Sequence, residues 1–185
     1  MRISSVFLFC IFTCAVPRVS QAQATLPGEN TVAVGGDVGF LATNYGEASG
    51  TIDAYVEYYY TARASVRGLY GWSQMDFEAA RERSLRRQHL LLNFVYNWEV
   101  GRWRPFATIG GGGYFLQRRE GDQSVGESLT KPGGNFGGGI EYYLRTFAIT
   151  TEMNVQILNE EEGFAELNGK TLSGFTWTFG VKVPF

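Results

Sequence analysis

The chain has 185 residues, of which 24 are glycine and 15% are aromatic, and its formal net charge is −2. That length suits one domain, and a mildly acidic balance excludes a nucleic-acid partner held by bulk charge. After residue 24 no run of about 18 apolar residues remains, so a spanning helix is excluded as well.

The N-terminus opens with the short positive pair Met1-Arg2, followed by a mostly apolar stretch from Ile3 to Val16 and a break at Pro17. Small residues at Ala22 and Ala24 then stand at cleavage spacing, which is the pattern of a secretory signal peptide. Cleavage is expected after Ala24, with Ala22 the second choice, leaving a mature domain over residues 25–185. Neither Cys10 nor Cys14 follows the small residue that a lipid anchor needs, and both leave with the signal, so no disulfide or thiol chemistry is expected. Loss of Arg2 and Arg18 makes the mature chain two charges more acidic.

From Thr31 onward the sequence alternates apolar and polar residues with period two, the signature of strands with one apolar face. Eight strands are expected, over residues 31–41, 51–60, 64–72, 87–100, 103–116, 133–144, 147–158 and 171–185. Their apolar faces carry residues such as Val32, Val34, Val38 and Phe40 in the first and Leu90, Leu92, Phe94, Tyr96 and Trp98 in the fourth. The last strand places Phe175, Trp177, Phe179, Val181, Val183 and Phe185 on one face and Thr176, Thr178, Gly180, Lys182 and Pro184 on the other. Connections alternate between short turns, at Thr61-Ala62-Arg63, Gly101-Arg102 and Arg145-Thr146, and long loops. This asymmetry and the even strand count fit an eight-stranded antiparallel up-and-down transmembrane β-barrel.

Register provides an independent check. Centring the first turn on Ala62 sets Glu57 opposite Arg67, and the second turn sets Glu99 opposite Arg104, all facing inward as ion pairs. Aromatic residues also divide into two girdles. Tyr58, Tyr60, Tyr96, Trp98, Trp103, Phe147 and Phe185 lie near the turn end, whereas Phe40, Tyr70, Trp72, Phe115, Phe136, Phe175 and Trp177 lie near the loop end. A soluble lipocalin-like barrel remains the alternative, with its apolar face inside, because alternation alone does not say which face points inward.

The C-terminal strand, with its alternating apolar residues and terminal Phe185, resembles the bacterial outer-membrane β-barrel family. That resemblance implies that Phe175 to Phe185 act as the signal read by the barrel-assembly machinery, with periplasmic chaperones and outer-membrane lipid and lipopolysaccharide as further partners. Arg104-Pro105-Phe106, Gly110 to Gly113 with Tyr114, and Phe136, Gly137 to Gly139, Ile140, Glu141 and Tyr142 look like the fifth and sixth strands of the OmpA/OmpX-like barrel-domain family. OmpA itself carries a following peptidoglycan-binding domain, which is not expected here. The glycines are read as strand glycines, since a phosphate loop needs a helix after it.

Some barrels of this class modify lipid A with a His, a Ser and an acid. The single histidine, His89, has no serine two residues on and falls on the inward face, so it is read as an interior polar group and no catalytic residue is expected. Arg81, Arg83, Arg86 and Arg87 cluster in the second long loop and Arg118 and Arg119 open the third, where they would meet lipopolysaccharide phosphates. Glu160 to Glu162 are read as a solvated acidic run, and no metal or cofactor is expected. The expected role is structural or surface-recognition, adhesin-like, for a monomer in the outer membrane. A narrow porin-like channel is the first alternative and a lipid A-modifying enzyme the second.

Overall fold

The structure, a computed structural model, describes residues 26–43, 48–77, 80–98, 101–121, 123–126, 128–158 and 173–185, with side chains described outside residues 76–83. Among the described residues there are nine strands: β1 Thr31–Thr43, β2 Ser49–Tyr59, β3 Ala64–Phe77, β4 Ala80–Asn97, β5 Trp103–Glu120, β6 Gln123–Ser124, β7 Leu129–Tyr143, β8 Ala148–Leu158 and β9 Gly174–Pro184. The eight long strands pair antiparallel with their neighbours, and β1 closes on β9, so no long strand is left at an edge of the barrel wall. The two-residue β6 adds to the outer end of β5. The expected signal segment, residues 1–24, lies outside the described residues.

Local chemistry sets the turn end. Thr61 Oγ1 accepts from the backbone N–H groups of Arg63, at 3.2 Å, and Ala64, at 2.9 Å, which closes the first turn. The register that results puts Glu57 opposite Arg67, and Asn97 opposite Phe106 continues the expected second register. Asn30 enters β1 with φ 62°, a conformation asparagine tolerates, and its Oδ1 accepts from the Tyr58 hydroxyl at 2.8 Å.

Closure follows from stagger. Cross-strand partners taken once around the barrel run from Arg104 through Glu141, Thr150, Gly180, Asp37, Asp53, Gly71 and His89 to Tyr114, which is ten residues along the same strand. With strands about 4.8 Å apart and about 3.3 Å per residue, this shear tilts the strands by about 40° and sets a backbone radius of about 8 Å. An interior of that size is narrow enough for side chains to meet across the axis.

The two faces of the wall are opposite in character. Val38, Ile52, Leu92, Ile109, Ile149 and Phe179 point outward and are exposed, while Asp37, Glu57, Arg67, Asn93, Glu152 and Lys182 point inward and are buried. The apolar face is therefore the outside, which rules out the lipocalin arrangement. Tyr58, Tyr60, Tyr96, Trp98 and Trp103 are exposed near the turn end, and Phe40, Tyr70, Phe115, Phe136 and Phe175 near the loop end.

The strands next to the second and third long connections run further than the alternation of outward apolar residues indicates. β3 reaches Phe77 and β4 starts at Ala80, with a register irregularity at Asp76 and Phe77; β5 reaches Glu120 and β7 starts at Leu129. Polarity inverts beyond the outer aromatic residues while the pleat stays in phase. Gln74, Arg86 and Gln117 point out, and Met75, Leu85 and Leu116 point in and are buried. The expectation ended each strand where its outward apolar residues stop. The chain stays extended because the inward residues keep burying apolar surface.

Candidate functional site

The interior divides into three levels. Nearest the turn end, the Arg104 guanidinium lies between the Tyr59 and Tyr143 rings, at 5.4 and 5.5 Å, and donates to the carbonyls of Pro27, at 3.3 Å, and Ala62, at 2.5 Å. It ties the segment entering β1 to the first turn. Glu99, its expected partner, lies outside the described residues, and Arg104 stands opposite Glu141 in the β5–β7 register.

Above it sits an ion network drawn from five strands. Arg67 Nε is 2.9 Å from Glu57 Oε2, its Nη1 is 2.5 Å from Glu152 Oε2, and its Nη2 is 3.8 Å from Glu141 Oε1. Lys182 Nζ donates to Glu57 Oε2 at 2.8 Å, to the Tyr59 hydroxyl at 3.0 Å, and to Glu141. Ser65 Oγ and Asn154 Nδ2 donate to the remaining oxygens of Glu57 and Glu152. Arg67 also lies over the Tyr55 ring at 4.5 Å. Arg67, Lys182, Glu57 and Glu141 are all 1% exposed or less, so solvent screens these pairs little.

Three inward glycines, Gly35, Gly133 and Gly139, are covered by neighbouring rings rather than left as open space. A Cβ at Gly35 would stand 2.2 Å from Tyr55 Cζ, one at Gly133 2.6 Å from Tyr114 Cε2, and one at Gly139 2.8 Å from Phe106 Cζ. At Gly71 a Cβ would meet both Asp53 Oδ1 and His89 Nε2 at 2.2 Å. This glycine is what lets His89 approach Asp53, with Nε2 to Oδ1 at 3.5 Å. His89 is 3% exposed and its ring stands 5.6 Å from that of Tyr114, inside the barrel.

At the loop end, Leu41, Met75, Leu85, Leu91, Leu116 and Leu158 pack into an apolar collar with Leu129 against it. The sequence reading missed this collar, although its signal is the run of leucines at inward positions in the outer halves of the strands. The cross-axis roles of Glu141, Glu152 and Lys182 were also missed, although their inward direction was legible.

The arginine cluster splits. Arg86 points outward and is half-buried, and Arg119 is on the outward face of β5. Arg87 corrects the loop expectation: it lies inside the barrel, fully buried, donating to Gln156 Oε1 and lying 4.6 Å over the Tyr114 ring. The reason is parity, since Arg87 follows an outward residue on a strand that continues through the expected loop. Arg118 is the partner of Leu85 and shares its inward face at the mouth. Arg81 and Arg83 belong to β4, and their side chains lie outside those described. In β9, Phe175, Phe179 and Val181 are exposed on the outward face, and Trp177 shares it, its Nε1 donating to Thr151 Oγ1 at 2.9 Å. Phe185 is exposed, and its backbone N–H donates to Val32 O at 2.8 Å.

Known structures share this architecture. The N-terminal β-barrel domain of Pseudomonas aeruginosa OprF superposes with a TM-score of 0.60 at 15% identity, covering 86% of this chain and 100% of that one. Neisserial surface protein A gives 0.61 at 10% identity, over 84% and 96%. Ail, the attachment invasion locus protein of Yersinia pestis, gives 0.54 at 14%, over 85% and 99%. This chain has the fold of the small outer-membrane β-barrels. No protein-family model and no curated protein sequence matches it. At these identities the outer-membrane-barrel likeness concerns the fold alone.

Proposed function

We propose that this protein is a non-conducting outer-membrane barrel, exported by the signal peptide at residues 1–24, with a structural and surface-recognition role at its loop end. The filled interior carries this reading. Arg67, Arg87, Arg104, Tyr59, Tyr114, Tyr143 and Lys182 are all under 2% exposed, and the leucine collar stands above them. A solute crossing here would have to displace paired charges buried at low dielectric. The part left to meet other molecules is the outer end, where β3, β4 and β5 continue past the aromatic band on an apolar core of their own. Two proteins of this fold are named for surface exposure and attachment, in keeping with an adhesin-like role.

Planar-bilayer recording tests the closed barrel directly. No openings above leak are expected from folded protein, and resolved unitary steps would replace this reading with the narrow channel. Binding of whole cells to host-cell monolayers, with and without the protein, tests the recognition role, and equal adhesion would reduce it to a structural one.

A further inference from the structure

We propose that a single alkali cation, sodium or potassium, is held inside the barrel against β4, β5, β7 and β8 by the oxygens of Asn93, Thr108, Asn135 and Asn154. The proposal goes beyond the structural and recognition role and gives the closed interior a resident ligand.

Two adjacent inward rows build the site. Asn93 and Asn135 are the partners of Gly110 on its two sides, and Thr108 and Asn154 are the partners of Gly137. The rows are two residues apart, about 6.6 Å along the strand, and neighbouring strands are about 4.8 Å apart. Each row has glycine at its centre, and amide oxygens lie where a side chain would start. A Cβ at Gly110 would stand 2.0 Å from Asn93 Oδ1, and one at Gly137 2.3 Å from Asn154 Oδ1. The Asn154 oxygen is held there because its Nδ2 donates to Glu152 Oε1 at 2.6 Å.

All four side chains are buried, between 1% and 9% exposed. Asn93 Oδ1, Thr108 Oγ1, Asn135 Oδ1 and Asn154 Oδ1 have no hydrogen-bond partner among the described residues, and their cross-strand neighbours and the rows above and below are all described. Buried acceptors without a donor are destabilising. One water has two protons for four acceptors, whereas one cation takes a lone pair from each oxygen. Charge favours the cation too. The buried acids are Asp37, Asp53, Glu57, Glu141 and Glu152, five against the four cations Arg67, Arg87, Arg104 and Lys182, besides His89. Asp37 and Asp53 are direct cross-strand partners, so two like charges oppose each other. Asp37 is four strands round the wall from Arg104, and half of the ten-residue shear sets it level with Ile109, on the wall facing the tetrad. The tetrad itself offers neutral oxygens and no carboxylate, which suits a singly charged, hard cation.

The test uses full-length mature protein refolded from urea into vesicles, so that the cation is present as the barrel closes. Sodium or potassium chloride is varied at constant ionic strength made up with N-methyl-D-glucamine chloride, whose cation is too large for the site. The heat-shifted band in SDS reports the folded fraction. At fixed urea the unfolded-to-folded ratio should fall about tenfold for each tenfold rise in sodium or potassium above half-saturation. Thr108→Val and Asn135→Leu should abolish this dependence, and Thr51→Val, on another part of the wall, should keep it. If Asn135→Leu gives no folded band, Thr108→Val, which keeps the side-chain shape, decides. Crystals grown with a thallium(I) salt should show an anomalous peak among the four oxygens. Equal ratios for wild type in all salt mixtures, the dependence retained in Thr108→Val, or no anomalous peak at the tetrad would each overturn the proposal and leave water as the occupant. None of these outcomes bears on conductance or adhesion, so the closed-barrel reading stands or falls separately.

Discussion

Removing Arg67 should unbalance the interior in a way that identifies which carboxylate depends on it. Arg67→Met keeps a long apolar side chain but deletes the cation shared by Glu57, at 2.9 Å, and Glu152, at 2.5 Å. The two acids are not left equal. Glu57 retains Lys182 at 2.8 Å and the Ser65 hydroxyl, whereas Glu152 retains, among the described residues, the Asn154 amide. Breaking a buried pair by removing one partner costs about 3–5 kcal/mol, because the other charge stays buried. Loss of the contact with the Tyr55 ring adds about 1 kcal/mol. With a urea dependence of about 2 kcal/mol per molar, the unfolding midpoint in vesicles should fall by about 2–3 M. Electrophoretic mobility without boiling reports the folded fraction at each urea concentration. Adding Glu152→Gln to Arg67→Met should recover about half of the loss, since it neutralises the stranded acid. Adding Glu57→Gln should recover less, because Lys182 uses that acid. Equal recovery by the two double variants, or none by the first, would refute the assignment of Glu152 as the dependent partner.

Three further outcomes follow from packing and position. Gly39→Ala should destabilise by about 1–3 kcal/mol, because its Cβ would lie 2.1 Å from the Trp177 backbone carbonyl, whereas Gly68→Ala, with open space around it, should stay within about 0.5 kcal/mol; paired urea titrations check both. Leu85→Ala in the collar should cost about 2–5 kcal/mol by opening a cavity, and outward, exposed Leu92→Ala should cost less in the same titration. Phe185→Ala should leave folding into vesicles within about 1 kcal/mol of wild type, because the ring is exposed and the backbone bond to Val32 remains. In cells it should lower the heat-shifted fraction in the membrane, and an unchanged fraction would remove Phe185 from the assembly signal.

Much of the fold was legible because its rules are local. Period-two alternation assigns each side chain to a face within a few residues, and a three-residue turn at Thr61 to Arg63 sets Glu57 against Arg67 without reference to the rest of the chain. The outer ends were less legible. There the same alternation runs with inverted polarity, Gln74 and Arg86 outside and Met75 and Leu85 inside, so a reading keyed to outward apolar residues stops too early. Arg86 and Arg87 show the consequence, since adjacent residues read together as loop charges belong to opposite faces of one strand.

By itself the sequence determined the eight long strands, the face each residue takes in their central parts and the registers across the short turns, because alternation and turn length act over a few residues. Only the tertiary structure decided which side of the wall was outside, which arginines face the rim, and that Arg67 meets Glu152 while Lys182 meets Glu57 and Glu141. Those contacts cross the barrel axis and depend on the ten-residue shear. That shear accumulates over eight strand pairs, several of them joined by long connections that impose no register of their own.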